Sequence, residues 1–262
     1  MDAVLENLEK SGLGCFTGKQ CYNSFLYADD LIICTITVTD MQKIVDICHD
    51  TFSEIGLSIN LTKSHCIRIG PRHACPSKDI LINGQPICWQ SQTKFLGMYI
   101  KSGKMFECDW KNSKSNFYKA ANSILSKLGS NPPLEVCLNL IRAQCLPVLN
   151  YGMCATSVSA TDFNKLLFAY NSIFFKLFKC SSKEAIEYCQ YYCNYWPLAI
   201  VIDYNRFCFL QKLYLTNKLN SVFAVDKSDY SDLQHLCVKY GLNIVDSNNC
   251  VRGKLWFFFE II

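Results

Sequence analysis

Residues 24–38 read Ser24-Phe25-Leu26-Tyr27-Ala28-Asp29-Asp30-Leu31-Ile32-Ile33-Cys34-Thr35-Ile36-Thr37-Val38. β-Branched and aromatic side chains stand on both sides of the two aspartates, and this composition is typical of strands. Aspartate favours turns because its carboxylate accepts hydrogen bonds from nearby backbone amides. The sequence therefore predicts a strand, a turn and a second strand, with Asp29 and Asp30 at the tip of the hairpin.

The two adjacent carboxylates have two alternative explanations. In the first, they only form the turn. In the second, they bind cations, because both flanking strands are apolar enough to be buried, and two like charges there repel and lose hydration unless a cation neutralises them. Carboxylate oxygens suit Mg²⁺, and two Mg²⁺ ions about 3.5–4 Å apart can activate an attacking 3′-hydroxyl and stabilise a leaving pyrophosphate. An Asp-Asp pair alone does not decide between these explanations.

The sequence around the hairpin predicts a mixture of helices and strands. Before the hairpin, the leucines of residues 5–13 indicate a short amphipathic helix. After it, Asp40 is predicted to be the N-cap of a helix over residues 40–55, in which apolar side chains recur at helical spacing. Residues 57–100 are expected to be extended, with Asn83-Gly84 as a hairpin turn.

Helical patterns dominate after residue 105. They predict helices over residues 112–128, over residues 131–146 with Asn131-Pro132-Pro133 at the start, and over residues 162–178. The aromatic stripe of the last of these is typical of a helix facing a core. Residues 181–262 are periodic enough to be folded, but they offer no motif.

The expected fold class is therefore α+β: antiparallel hairpins plus a helix, followed by a helical region. We expect three parts, at residues 1–104, 105–180 and 181–262.

Composition and charge exclude several classes of protein. Half of the 262 residues are apolar, which excludes a disordered chain, and the apolar runs are far shorter than the roughly 20 residues of a membrane span. Residues 1–60 contain three Lys or Arg against nine Asp or Glu, and residues 61–130 contain eleven against three. This asymmetry fits a cation site beside a surface for polyanions, but charge alone favours an ordinary solvated charge pattern.

The cysteines indicate a reducing compartment. There are 17 of them, an odd number with no Cys-x-x-Cys pair, and many stand in apolar surroundings. We therefore expect most to be small buried side chains rather than disulfides or zinc ligands. With an acidic, interrupted start in place of a signal peptide, the sequence predicts an intracellular protein of the nucleus or cytoplasm.

The stretch Phe25-Leu26-Tyr27-Ala28-Asp29-Asp30 resembles the Tyr-Ala-Asp-Asp box (motif C) of reverse transcriptases, and specifically of the non-LTR, LINE-type retrotransposon enzymes. Four further segments resemble parts of these enzymes in the same order. Residues 8–15 resemble the stretch before that box, residues 56–64 resemble motif D, residues 94–100 resemble motif E, and residues 146–152 resemble a thumb segment. The resemblance covers residues 1–180 and implies a partial polymerase palm followed by a helical thumb-like region.

The resemblance implies a role for each matching residue. Asp29 and Asp30 would bind two catalytic Mg²⁺ ions, and Tyr27 with Ala28 would pack beside the primer end and the incoming dNTP. Lys63 matches the motif D lysine, a candidate acid for the leaving pyrophosphate, although without the resemblance it reads as an exposed strand lysine. The matches to the primer grip are Lys94, Phe95, Leu96 and Gly97. The implied partners are an RNA template and a DNA primer, with no membrane.

Cations alternate with aromatic rings just after residue 100. Such a pattern can follow a phosphate backbone while stacking bases, although an ordinary amphipathic helix is an equal explanation. The residues predicted to bind nucleic acid are Lys101, Lys104, Trp110, Lys111, Lys114, Tyr118 and Lys119.

The sequence departs from the family pattern at its start. Motif A, which supplies a third metal-binding aspartate, and motif B are not found among the 28 residues before Asp29. The resemblance therefore implies a reverse transcriptase fragment that performs template-directed nucleotidyl transfer in the intact enzyme and is inactive alone. The alternatives are a non-catalytic nucleic-acid-binding remnant and a partly unfolded product without a role.

Overall fold

The computed structural model describes residues 2–17, 20–129, 133–180, 182–216 and 227–261. The chain divides into two compact units, residues 1–109 and 110–262. Short sheets and two helices form the first unit, and helices dominate the second. The architecture is α+β, as the sequence predicts, while the expected division into three parts stays a prediction.

The first unit contains two helices and ten short strands within its described residues. The helices are α1 (Asp2–Ser11) and α2 (Val38–Glu54). The strands are β1 (Cys15–Thr17), β2 (Gln20–Tyr22), β3 (Ser24–Tyr27), β4 (Asp30–Ile33), β5 (His65–Cys66), β6 (Ile80–Ile82), β7 (Gln85–Trp89), β8 (Gln92–Phe95), β9 (Met98–Lys101) and β10 (Glu107–Cys108).

The strands form four small sheets rather than one. Strands β1 and β2 pair as an antiparallel hairpin, and so do β3 and β4. The other two sheets have the orders β5-β7-β6 and β10-β9-β8, and all their pairings are antiparallel except that of β5 with β7. Local hairpins therefore provide most of the pairing, as expected from the turn signals.

Helix α2 is the centre of the first unit because it packs on two sides. One side carries Ile44 and Cys48 against Val4 and Leu8 of α1, with Phe52 completing the cluster. A second cluster joins Val45 of α2 to Ile80, Ile82 and Ile87 of the β6–β7 hairpin. Leu31 and Ile33 of β4 pack at the edge of these clusters, so the same helix anchors the β3–β4 hairpin.

The second unit contains helices throughout its described residues. They are α3 (Lys111–Leu128), α4 (Leu134–Leu140), a π-helical segment (Ile141–Cys145), α5 (Leu146–Asn150), α6 (Ala160–Phe178), α7 (Lys183–Tyr192), α8 (Leu198–Leu215), α9 (Lys227–Tyr240) and α10 (Asn248–Ile261). Aromatic side chains fill much of the core, as predicted for residues 162–178. The Tyr170 hydroxyl donates to the carbonyl of Trp196, and the Tyr195 ring packs on Tyr170 and Phe174.

The continuous helix predicted for residues 131–146 is instead interrupted. Asn131 and Pro132 lie outside the described residues, and Pro133 is the N-cap of α4. At Ile141 the helix widens into a π segment, where the Leu146 N–H donates to the Ile141 carbonyl five residues back. Pro147 follows at once, and because proline has no N–H the regular hydrogen-bond ladder cannot continue through it.

Five other sequence predictions are wrong in detail. The second strand of the hairpin ends at Ile33, and Thr37 rather than Asp40 is the N-cap of α2. Residues 57–69 are mostly irregular, with one short strand and a turn at residues 61–63, where the Asn60 carboxamide oxygen accepts backbone hydrogen bonds and bends the chain. Residues 95–100 are a hairpin and not a single strand. Of the 17 cysteines, all free thiols, four are buried, ten are half-buried and three are exposed.

No helix in the described part of the chain is long and apolar enough to cross a membrane.

The N-cap of α2 allows a test of what stabilises the first unit. The Thr37 hydroxyl accepts a hydrogen bond of 3.0 Å from the Asp40 N–H. Thr37→Ala is expected to lower the free energy of unfolding by about 1 kcal/mol, because it removes the partner of this N–H. Chemical denaturation measures the change. Thr39→Ala, in the first turn of the same helix, is the control and should change stability much less; an equal loss in both variants would contradict the role of the cap.

Candidate functional site

The two aspartates lie where the β3–β4 hairpin reverses direction. The register pairs Tyr27 with Asp30, so Ala28 and Asp29 form a two-residue turn. Asp29 is therefore at the tip, as predicted, and Asp30 is the first residue of β4. Adjacent positions on such a tight hairpin keep both carboxylates at one end of the sheet.

Ala28 adopts an unusual backbone conformation in this turn. Its φ is +50°, in the left-handed region that residues with a Cβ atom rarely occupy. The conformation costs an alanine roughly 1–2 kcal/mol relative to the right-handed region. Strain of this kind is concentrated at functional sites, where the surrounding structure holds it in place.

The acidic pair is exposed, contrary to one step of the sequence argument. Tyr27 is 64% exposed, both aspartates are exposed, and the side chains of Phe25, Leu26 and the start of β4 are at most half-buried. The expected loss of hydration at the end of a buried hairpin is therefore absent. Among the described residues, neither Asp29 nor Asp30 forms an ion pair or a side-chain hydrogen bond. A bound cation would therefore act by relieving the repulsion between the two carboxylates.

Asn23 fixes the base of the hairpin, and the sequence analysis missed it. Its buried side-chain amide donates a 2.8 Å hydrogen bond to the Leu8 carbonyl at the end of α1. Its own carbonyl accepts a 2.8 Å hydrogen bond from the Cys34 N–H. Gly14 leaves the space for this contact, since a Cβ atom there would lie 2.7 Å from the Asn23 Cβ. A lone Asn before a strand carries no pattern that would have revealed this role.

The donor atoms at the tip fit a hard cation only in part. Two carboxylates supply oxygen ligands of the kind that Mg²⁺ prefers. Within the described ranges, however, no group of three or more His, Cys, Asp or Glu side chains is placed to hold a metal ion. The tip can therefore contribute two ligands to a metal site but does not form a complete one.

Lys63 lies in a turn rather than in a strand. It belongs to the turn at residues 61–63, its side chain is exposed, and its N–H donates to the carboxamide oxygen of Asn60 at 3.2 Å. The Asn60 side chain also accepts from the N–H and hydroxyl of Thr62. The turn holds the Lys63 backbone and leaves its ammonium group in solvent. Its role as an acid stays a prediction.

The segment compared with the primer grip forms a tight hairpin. Lys94 pairs with Tyr99 and Phe95 pairs with Met98, which leaves Leu96 and Gly97 as the turn. Both turn residues have positive φ, 45° for Leu96 and 84° for Gly97. An exposed leucine in this conformation is unusual, because Asn or Gly is favoured at such positions. The primer-binding role of residues 94–97 stays a prediction.

The alternating cations and aromatic rings fall on both units. Lys101 ends β9 and Lys104 is exposed in the following loop, both in the first unit. Trp110 is only 5% exposed, so its ring does not present a free face for stacking in this structure. The remaining residues of the set lie on α3; these are Lys111, Lys114, Tyr118 and Lys119.

Comparison with known proteins gives one match, which lies in the first unit. Residues 1–100 match the family model described as reverse transcriptase (RNA-dependent DNA polymerase). No curated protein and no solved structure matches the chain. The match confirms the resemblance to reverse transcriptases over residues 1–100, which contain the Asp29–Asp30 turn, Lys63 and residues 94–97.

The strained turn makes a direct prediction for stability. Ala28→Gly is expected to raise the free energy of unfolding by about 0.5–1 kcal/mol, because glycine adopts positive φ without steric cost and this gain exceeds the added entropy of the unfolded chain. Urea denaturation measures it. The control is Ala74→Gly, at an exposed turn residue without positive φ, which should be neutral or destabilising. A loss of stability at residue 28 would contradict the assigned strain.

Proposed function

We propose that residues 1–100 form the later part of the palm of a reverse transcriptase of the non-LTR, LINE type, in which Asp29 and Asp30 bind the catalytic Mg²⁺ ions. One observation carries the proposal: Tyr27-Ala28-Asp29-Asp30 occupies an exposed, strained hairpin turn inside the segment that matches the reverse transcriptase family. The turn explanation alone does not account for two neighbouring carboxylates without partners among the described residues.

The proposed chemistry is template-directed transfer of a nucleotide to a DNA primer on an RNA template. Bound Mg²⁺ would supply activation of the primer hydroxyl and stabilisation of charge on the leaving pyrophosphate. The chain's own residues would orient the reactants. Asp29 and Asp30 provide oxygen ligands, Tyr27 presents an exposed ring beside them, and the ammonium of Lys63 donates a proton to the leaving group.

We further propose that the chain is inactive by itself. Two carboxylates at the hairpin tip do not fix two metal ions, and the described residues bring no third acidic side chain to them. The lost ligand removes electrostatic stabilisation that is worth several kcal/mol of the reaction barrier. The intact site would need a further carboxylate.

Metal binding at the tip is testable with Mn²⁺, which takes the place of Mg²⁺ and broadens nearby NMR signals. We expect weak binding with selective broadening of the amide signals of residues 27–31. Asp29→Asn combined with Asp30→Asn should abolish it, because the ligand charge is removed. Asp50→Asn, at an exposed acidic residue of α2, is the control and should leave it unchanged. Equal broadening around Asp50 in the unaltered chain would contradict a specific site.

Catalysis is tested by primer extension on an RNA template with Mg²⁺ and dNTPs. We expect no incorporation above that of the Asp29→Ala variant, because the metal site lacks a ligand. Incorporation that Asp29→Ala abolishes would refute the proposed inactivity while supporting the proposed chemistry. Metal binding and inactivity are therefore separate outcomes.

A second candidate function is binding of nucleic acid without catalysis. The observation that favours it is the charge of α3, which carries Lys111, Lys114, Lys119 and Lys127 and no acidic residue. A helix of this kind attracts phosphate groups without any metal ion.

The second candidate predicts salt-dependent binding of RNA or RNA–DNA hybrid that survives Asp29→Ala. Lys111→Ala and Lys114→Ala together should weaken binding and lower the dependence of log Kd on log salt, by about 0.7–0.9 for each lost phosphate contact. Fluorescence anisotropy at several salt concentrations measures both. Binding that is unchanged in the double variant would contradict a role for α3.

A further inference from the structure

A cleft lies between the first halves of α3 and α6 in the second unit. Its volume is about 540 Å³. Helix α3 contributes one turn of its surface, and α6 contributes a stripe with the spacing of one helix face. The lining residues are Lys114 and Tyr118 from α3, and Thr161, Asn164, Lys165 and Phe168 from α6.

The cleft is positively charged. Lys114 forms no ion pair among the described residues and stands on a helix without acidic side chains. Lys165 contacts Asp162 at 3.0 Å, so its charge is partly neutralised, yet its side chain is 53% exposed. Asp162 is the one acidic residue of α6, against Lys165 and Lys176. The balance of charge around the cleft therefore favours an anion.

An exposed ring marks the cleft as more than a charged surface. Phe168 is 65% exposed, although the helix that carries it buries Leu166, Ala169 and Tyr170 in the core. Its ring lies beside that of Phe175, with the two ring centres 6.5 Å apart. Tyr118 lines the same cleft and is half-buried. Two rings thus stand beside the lysines in one open space.

We infer that the cleft between α3 and α6 binds single-stranded nucleic acid, with an unpaired base against Phe168 and Tyr118 and its phosphate on Lys114. Ring faces stack on bases of any sequence, and lysines hold the backbone between them. Thr161 and Asn164 line the same space, and their side chains carry groups that can form hydrogen bonds with a base edge. A duplex fits less well, because its bases already stack on one another.

This site deepens the second candidate function and rests on it, because Lys114 belongs to both. It is separate from the proposed metal site, since it lies outside residues 1–100 and requires neither Mg²⁺ nor catalysis. Binding measured in EDTA keeps the two apart: loss of binding would overturn the cleft and leave the proposed metal site standing.

The test is fluorescence anisotropy of the full chain with labelled single-stranded RNA and DNA of about 12 nucleotides, within the site sizes known for single-strand grooves. Phe168→Leu removes the ring and keeps an apolar side chain at an exposed position. We expect a loss of affinity of about 5- to 100-fold without change in the salt dependence, because stacking carries no charge. Phe257→Leu is the matched control, since Phe257 is 63% exposed on α10.

Lysine variants give the complementary signature. Lys114→Gln should weaken binding and lower the slope of log Kd against log salt by about 0.7, the value for one phosphate contact with a single strand. Lys212→Gln, at an exposed position in the last turn of α8, should change neither by a comparable amount. Parallel titrations with duplex RNA and with an acidic peptide test whether binding is selective for single strands.

Each outcome decides for or against the cleft. Weaker binding of single strands in Phe168→Leu and Lys114→Gln, with both controls unchanged, supports it. It is overturned by equal affinity for duplex and single strands, by equal losses in Phe168→Leu and Phe257→Leu, by no binding of single strands, or by preference for the acidic peptide.

Discussion

The position of the acidic hairpin depends on the burial of α2 on two sides. Ile44 and Cys48 hold α1 while Val45 holds the β6–β7 hairpin, so one helix joins segments that are far apart in the sequence. Asn23 then ties the β3–β4 hairpin to α1 by a hydrogen bond. Burial of apolar area stabilises this arrangement, and the hydrogen bond of the buried Asn23 amide fixes the direction of the hairpin.

The two units carry proposed sites of opposite charge. In the first, the two carboxylates stand on a short, rigid turn, where the approach of a cation is favoured by relief of repulsion. In the second, the lysines of α3 stand on a helix without acidic residues, and we propose that they contact a phosphate backbone.

Sequence patterns predicted the elements that depend on local chemistry. The prediction is confirmed where residues act within a few positions of one another. These places are the Asn83-Gly84 turn, the helical spacing of Ile44, Val45 and Cys48, and Asp29 in the hairpin turn. Local patterns could not predict the roles of Asn23 and Phe168. Asn23 acts through a partner in another element, and Phe168 differs from its aromatic neighbours only in the face of α6 on which it lies.

The π-helical segment has a consequence for how the second unit tolerates change in chain length. Cys137, Ile141, Cys145 and Leu149 recur every four residues, and all are fully buried. In a regular α-helix each such step overshoots a full turn by about 40°, so the last of them would rotate away from the first by about 120°. The wider turn absorbs this drift. Deleting one residue there would restore regular winding and place Leu149 about 20° from Cys137 around the helix axis. The buried face would stay in register, so this part of the chain can lose one residue without exposing its core.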